Sequence, residues 1–263
     1  MLNVIAARLR QGHRTMRFPA APAPSLSDRF RGRPVFESAA CPPDCRACAQ
    51  ACPTGALSFD APAAAGRPRL DLAKCLFCTD CAAACPRGAI AYSGDYRLSA
   101  RKLEDLAVDP AAAEPLLAAA LEKKLKRLFG RSLKLRQVSA GGCNACEADV
   151  NVLTTIGWDL GRFGIQIVAS PRHADGLLVT GPVTRNMELA LRKTYDAVAA
   201  PKIVIAVGAC ALSGGPYAGS PETLGGVAPL LPVDLFIPGC PPHPLTILDG
   251  LLRLIGWIES GRR

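Results

Sequence analysis

The stretch Cys45-Arg46-Ala47-Cys48-Ala49-Gln50-Ala51-Cys52-Pro53-Thr54-Gly55-Ala56-Leu57 returns 33 residues later as Cys78-Thr79-Asp80-Cys81-Ala82-Ala83-Ala84-Cys85-Pro86-Arg87-Gly88-Ala89-Ile90. One further cysteine precedes each copy, Cys75 at the regular spacing and Cys41 one residue further out. The second copy therefore reads C-x2-C-x2-C-x3-C-P and the first C-x3-C-x2-C-x3-C-P. Three thiolates on a tight loop can each meet one iron of a cubane, while the fourth, followed by proline, is carried away on a short helix toward another site. Zinc is the alternative, because C-x2-C pairs also build tetrahedral sites. Eight cysteines in two runs that both end Cys-Pro suit iron better.

This spacing resembles the two-cluster bacterial ferredoxins. The resemblance implies two [4Fe–4S] clusters, one on Cys41, Cys45, Cys48 and Cys85 and the other on Cys75, Cys78, Cys81 and Cys52. The extra residue between Cys41 and Cys45 departs from the common pattern and widens that loop. Upstream, Gly12-His13-Arg14-Thr15-Met16-Arg17-Phe18-Pro19 and Arg31-Gly32-Arg33-Pro34 resemble the lead-in of the two-cluster ferredoxin subunit of respiratory complex I and formate hydrogenlyase. In that family the lead-in lies along the membrane arm and partner subunits. Val4, Ile5 and Leu9 among arginines suit a short amphipathic helix in such a place.

Working outward, the chain has 263 residues, 49% hydrophobic and 20% charged, with 12 cysteines and a formal charge of +9. So few charges in so apolar a chain exclude intrinsic disorder, and no apolar run is long enough to span a bilayer. The interspersed arginines before residue 18 do not form a secretory signal. The expected compartment is the cytoplasm, where clustered cysteines usually mean metal. The charge is uneven: residues 1–36 hold seven Arg and one acid, and residues 98–134 hold eight bases and five acids. Residues 37–97 and 135–263 are each neutral. The basic arm reads as a docking segment for a membrane surface or partner subunits. Nucleic acid is not an expected partner, because no aromatic residues interleave the basic ones.

Residues 98–134 read as a helical linker, with leucines at helical spacing interrupted by Pro110 and Pro115. From Leu133 onward, short apolar runs alternate with amphipathic stretches, a βαβ rhythm. Strands are expected over Leu133–Val138, Ile165–Ala169, Gly176–Thr180, Lys202–Val207 and Leu235–Ile237. Helices are expected over Ala145–Ile156, Met187–Ala199 and Pro244–Glu259. The fold class is thus α/β: a flavodoxin-like open parallel sheet over residues 135–263, preceded by a small α+β ferredoxin domain over residues 37–97.

Cys143, Cys146, Cys210 and Cys240 each follow an expected strand, where open α/β sheets place their ligands. On spacing alone these four suit another [4Fe–4S] cluster, a zinc ion or a redox dithiol. Around them, Ala140-Gly141-Gly142-Cys143-Asn144-Ala145-Cys146-Glu147, Thr180-Gly181-Pro182-Val183-Thr184 and Pro238-Gly239-Cys240-Pro241-Pro242-His243-Pro244 occur in order. Pro171-Arg172-His173-Ala174-Asp175 and Gly208-Ala209-Cys210-Ala211 fall between them. Together they resemble the small subunit of [NiFe] hydrogenases and the homologous cluster subunit of complex I. The resemblance implies a third [4Fe–4S] cluster and a catalytic centre in a separate large subunit. Complex I carries the first two of these cysteines adjacent, whereas here they are separated by two residues, as in hydrogenases. With no cysteine after Cys240, the pattern resembles the membrane-bound, energy-converting (group 4) hydrogenases, although fusion to a ferredoxin domain is a departure.

Glu147 is either a proton-relay group at the large-subunit interface or an ordinary acid in a first helical turn. Asp149 is a weaker relay candidate, and His13, His173 and His243 read as structural or surface histidines. No P-loop or Gly-x-Gly-x-x-Gly after a strand is present, so no nucleotide is expected. The expected function is electron transfer through three [4Fe–4S] clusters in a hydrogenase-like complex, peripheral on the cytoplasmic face of the inner membrane. Its expected partners are a large subunit, membrane-arm subunits and an electron donor or acceptor protein. A complex I-like, quinone-linked complex is the second expectation. Three clusters at roughly −2 each would bring the +9 of the chain to about +3.

Overall fold

The computed structural model describes residues 2–12, 14–37, 42, 44–59, 68–108, 117–129 and 132–258. Cys41 and His13 lie outside the described residues. Helix α1 (Leu2–Gln11) opens the chain, with Arg8 and Arg10 in its last turn, where cations complement the helix dipole. None of its residues is buried, and Leu2, Val4, Ile5 and Leu9 are all more than half exposed.

The ferredoxin-like part pairs β1 (Pro34–Phe36) antiparallel with β4 (Ile90–Tyr92). Between them come α2 (Ala47–Gln50), β2 (Leu57–Phe59), β3 (Pro68–Asp71) and α3 (Asp80–Ala83). The repeat is visible as Cys-x-x-Cys, one helical turn, Cys-Pro and a short strand, met twice. β5 (Ala107–Val108) joins β3 on the side opposite β2.

Of the helical linker expected over residues 98–134, only α4 (Lys123–Phe129) is α-helix among the described residues. Residues 98–108 instead belong to both neighbours. Ala100 exchanges two backbone hydrogen bonds with Phe236, and Leu72 N–H donates to Leu106 O. The leucine spacing is helical, but these backbone groups are taken by sheet partners, and tertiary pairing overrides local propensity. The Ala100 bridge also covers the outer edge of β10 (Leu235–Ile237), which would otherwise present unpaired strand groups.

The second part is a five-stranded parallel sheet of β6 (Leu133–Ser139), β7 (Ile165–Ile167), β8 (Gly176–Thr180), β9 (Ile203–Val207) and β10. α5 (Ala145–Val152), α6 (Arg185–Ala197), α7 (Ala209–Ser213) and α8 (Pro244–Leu254) flank it. The order β10-β9-β8-β6-β7 is the flavodoxin-like one, with its switch point between β6 and β8. β8, β9 and β10 are buried at every residue, which explains their unbroken apolar sequences.

One apolar core runs through both parts, from Phe36, Leu70 and Leu72 to Val179, Leu212 and Phe236. A second core lies on the other face of the sheet, where every residue of α8 is buried. Asp249 and Arg253 of α8 pair at 2.7 Å within it.

Residues 14–36 strap the two parts together. Met16 N–H donates to Gly157 O and Thr15 Oγ1 to Ile156 O, while the Arg162 guanidinium holds the carbonyls of Met16 and Phe18. Phe18 is buried in the second core beside the Tyr96 ring, and Gly32 N–H then reaches Ser93 O in the ferredoxin-like part. A Cβ on Gly32 would stand 2.3 Å from Asp95 O, so only glycine allows that approach.

Candidate metal centres

The four cysteines of the second part converge beyond the carboxyl ends of β6, β9 and β10. Cys143 lies in the loop after β6 and Cys146 in the first turn of α5, which starts from Asn144 in a left-handed conformation at φ 70°. Cys210 opens α7, and Cys240 follows β10. Gly208 shows how tightly the loops meet: at φ 90°, a Cβ there would lie 2.5 Å from Cys146 Sγ.

Burial pushes the Cys146 thiol far up, and the charges of Glu147, Cys210, Cys240 and Cys143 add to the shift. Burial, then Cys240 and Cys143, raises Cys210 to about 11. Cys143 and Cys240 stand at the exposed rim, yet enough protein surrounds Cys240 to raise its thiol as well, helped by Cys143 and by Cys78 of the ferredoxin-like part. Thiols that repel one another in this way hold together as thiolates around a cationic centre, because metal binding displaces their protons.

The carboxylate of Glu147 is buried beside this group, and Thr180 Oγ1 donates to its Oε1 at 2.6 Å. Thr180 is a site neighbour that spacing alone does not single out, although it opens the Thr180–Thr184 motif. His243 accepts the Leu245 N–H at Nδ1 and caps α8, with its ring edge-on to Phe30 and Trp158. Its role is structural, in keeping with the sequence expectation.

In the ferredoxin-like part, Cys52, Cys75, Cys78 and Cys81 line one small cavity, together with Leu57, Leu70 and Tyr92. Burial raises Cys75 to about 12, and the charges of Cys81, Cys52 and Cys78 contribute. Cys52 is also pushed up by burial, but donors from Thr54, Leu57 and Ala56 outweigh that and leave it below its ordinary value. The Cys-Pro-x-Gly-Ala turns explain part of this. Gly55 and Gly88 take φ of 62° and 60°, which brings Ala56 N–H to Cys52 Sγ at 3.2 Å and Ala89 N–H to Cys85 Sγ at 3.3 Å.

Cys45 and Cys48 flank the start of α2, Cys85 follows α3, and the two helices pack together. Among the described residues, no three His, Cys, Asp or Glu side chains close around a point as a single metal ion requires. The donor set is instead all thiol, buried, supplied with N–H donors and spread around a cavity. That chemistry fits an iron–sulfur cluster.

Residues 143–254 match the family described as NADH ubiquinone oxidoreductase, 20 Kd subunit, and residues 40–89 match the 4Fe-4S dicluster domain. The "Probable membrane-bound hydrogenase subunit mbhJ" of Pyrococcus furiosus is 44% identical over 135 residues, 50% of this chain and 81% of that protein. Formate hydrogenlyase subunit 7 of Escherichia coli is 41% identical over 155 residues, 59% of this chain and 58% of that one. An NADH-quinone oxidoreductase subunit of Phocaeicola vulgatus is 44% identical over 128 residues, 48% of this chain and 64% of that one.

Proposed function

We propose that the chain, which belongs to the family of the NADH ubiquinone oxidoreductase 20 kDa subunit, serves as an iron–sulfur electron-transfer subunit of a membrane-associated, hydrogenase-like oxidoreductase complex. Cys143, Cys146, Cys210 and Cys240 would hold one [4Fe–4S] cluster, and Cys52, Cys75, Cys78 and Cys81 a second. Cys45, Cys48 and Cys85, with Cys41, would hold a third. Bound there, these groups supply one-electron chemistry between a donor or acceptor protein and a catalytic large subunit. The polypeptide fixes their spacing, excludes water and directs N–H donors at the ligand sulfurs.

The observation that carries this reading is the packing of the two cysteine-bearing parts on one apolar core, pinned by the Ser213 Oγ to Ala73 O hydrogen bond at 2.8 Å, three residues after Cys210 and two before Cys75. Glu147, held by Thr180 next to Cys146, is the carboxylate proposed to relay protons at the large-subunit interface. The two-residue gap between Cys143 and Cys146 favours the hydrogenase branch, group 4 in type. The likeness to the NADH-quinone oxidoreductase subunit of Phocaeicola vulgatus supports the second reading, a quinone-linked complex without hydrogen chemistry. No helix among the described residues is long and apolar enough to cross a membrane. Attachment at the cytoplasmic face would therefore run through membrane-arm subunits and α1.

The test is anaerobic purification from membranes with analysis of iron, sulfide and nickel. About twelve irons per chain are expected from three four-iron sites, together with a large subunit that contains nickel. A large subunit free of nickel selects the quinone-linked reading. Zinc in place of iron overturns both.

A further inference from the structure

The two copies of the repeat correspond at an offset of 33 residues, which pairs Cys48 with Cys81, Arg46 with Thr79 and Phe59 with Tyr92. Phe59 ends β2 and Tyr92 ends β4, so both rings occupy the same place in their half of the domain. Their chemistry differs. The Tyr92 phenol oxygen lies 3.6 Å from Cys81 Sγ. A thiolate can only accept, so the hydrogen between these two atoms is the phenol's. Tyr92 also lines the cavity ringed by Cys52, Cys75, Cys78 and Cys81. A tyrosine phenol ordinarily keeps its proton at neutral pH. At the matching position Phe59 has no hydroxyl; its ring lies under the Arg46 guanidinium at 4.2 Å.

We propose that Tyr92 is a positioning residue that sets reduction potential: its O–H donates to Cys81 Sγ and makes the site held by Cys52, Cys75, Cys78 and Cys81 easier to reduce. The inference rests on the iron–sulfur reading above. An electron added to a cluster increases the negative charge on its ligand sulfurs, so a donor aimed at one of them stabilises the reduced state more than the oxidised state. The proton stays on Tyr92 and no bond is made or broken. Ala73, two residues before Cys75 of the same set, accepts from Ser213 Oγ of the second part, so the donor sits on the site adjoining that part and favours placing the electron there.

The experiment is a potentiometric titration followed by electron paramagnetic resonance on the full chain, wild type against Tyr92→Phe. The expected result is a fall in one potential alone, by about tenfold in the reduced-to-oxidised ratio, ~59 mV for one electron. The other two signals should stay in place. Fluorotyrosine at position 92, a similar shape with a stronger donor, should raise that same potential, so the test holds even if Tyr92→Phe disturbs assembly. Unchanged potentials in variants with wild-type iron content overturn the inference while the cluster reading stands. A wild-type chain without iron overturns the cluster reading itself.

Discussion

Cys78, 162 positions before Cys240 in the chain, lies within electrostatic reach of it, since burial, then the charges of Cys143 and Cys78, raises the Cys240 thiol. The two parts of the chain are held in this relation by a shared apolar core, by the Ser213 Oγ to Ala73 O hydrogen bond at 2.8 Å, and by the Ala100–Phe236 bridge. A rigid joint of this kind serves electron transfer, whose rate depends on a fixed separation between centres.

Replacing Cys240 with Ser should remove one cluster and leave the others. Iron content is expected to fall by about four per chain from about twelve, with one paramagnetic signal lost. Loss of all three signals would mean that the two parts do not assemble independently of this ligand.

Gly208→Ala should be far more damaging than Gly94→Ala. The first places a Cβ 2.5 Å from Cys146 Sγ at a φ of 90°, whereas the second meets nothing within 4 Å. Backbone strain alone costs about 1–3 kcal/mol at such a position. Thermal melting and iron retention of the two variants, compared side by side, measure the difference.

Arg162→Ala should loosen the strap formed by residues 14–36, because two carbonyl partners are lost. Arg162 is exposed, so the cost in stability is about 1 kcal/mol. Limited trypsin digestion should cut faster at Arg14 and Arg17 in the variant, with the parallel-sheet part left intact. Equal cutting rates would show that Phe18 burial holds the strap without the arginine.

Burial holds the His243 imidazole below its ordinary value of 6.5, and the neutral ring accepts the Leu245 N–H that starts α8. The unfolded chain therefore takes up this proton first as pH falls. The contribution is present above pH 6.5 and is lost as pH drops from there toward the folded value. Melting temperature should fall between about pH 7.5 and about pH 5.5, and His243→Asn should flatten part of that slope.

Motif spacing and strand periodicity are legible in the sequence because both are local. The five strands of the parallel sheet fall on the apolar runs that announce them, with ends moved by one or two residues. α7 leaves no such trace, because five residues around Cys210 carry no periodicity. In the linker, Leu98, Leu103 and Leu106 repeat at helical spacing, while the backbone of Ala100 is claimed by β10 and that of Leu106 by Leu72. The basic arm reads as one docking segment, yet Arg17 and Arg33 lie on a strap that binds its own chain, while α1 has no buried residue.

By itself the sequence determined which cysteines share a loop, where the strands lie and which fold class holds them, since each follows from neighbours a few residues apart. Only the tertiary structure decided that Ser213 bonds Ala73 across the two parts, that Thr180 holds Glu147, and that Tyr92 reaches Cys81 while Phe59 matches it without a hydroxyl. It also decided that Ala100 and Ala107–Val108 pair with strands on either side in place of continuing a helix. Those contacts depend on how distant segments pack together, and local periodicity carries no record of which backbone or side chain will arrive from elsewhere in the chain.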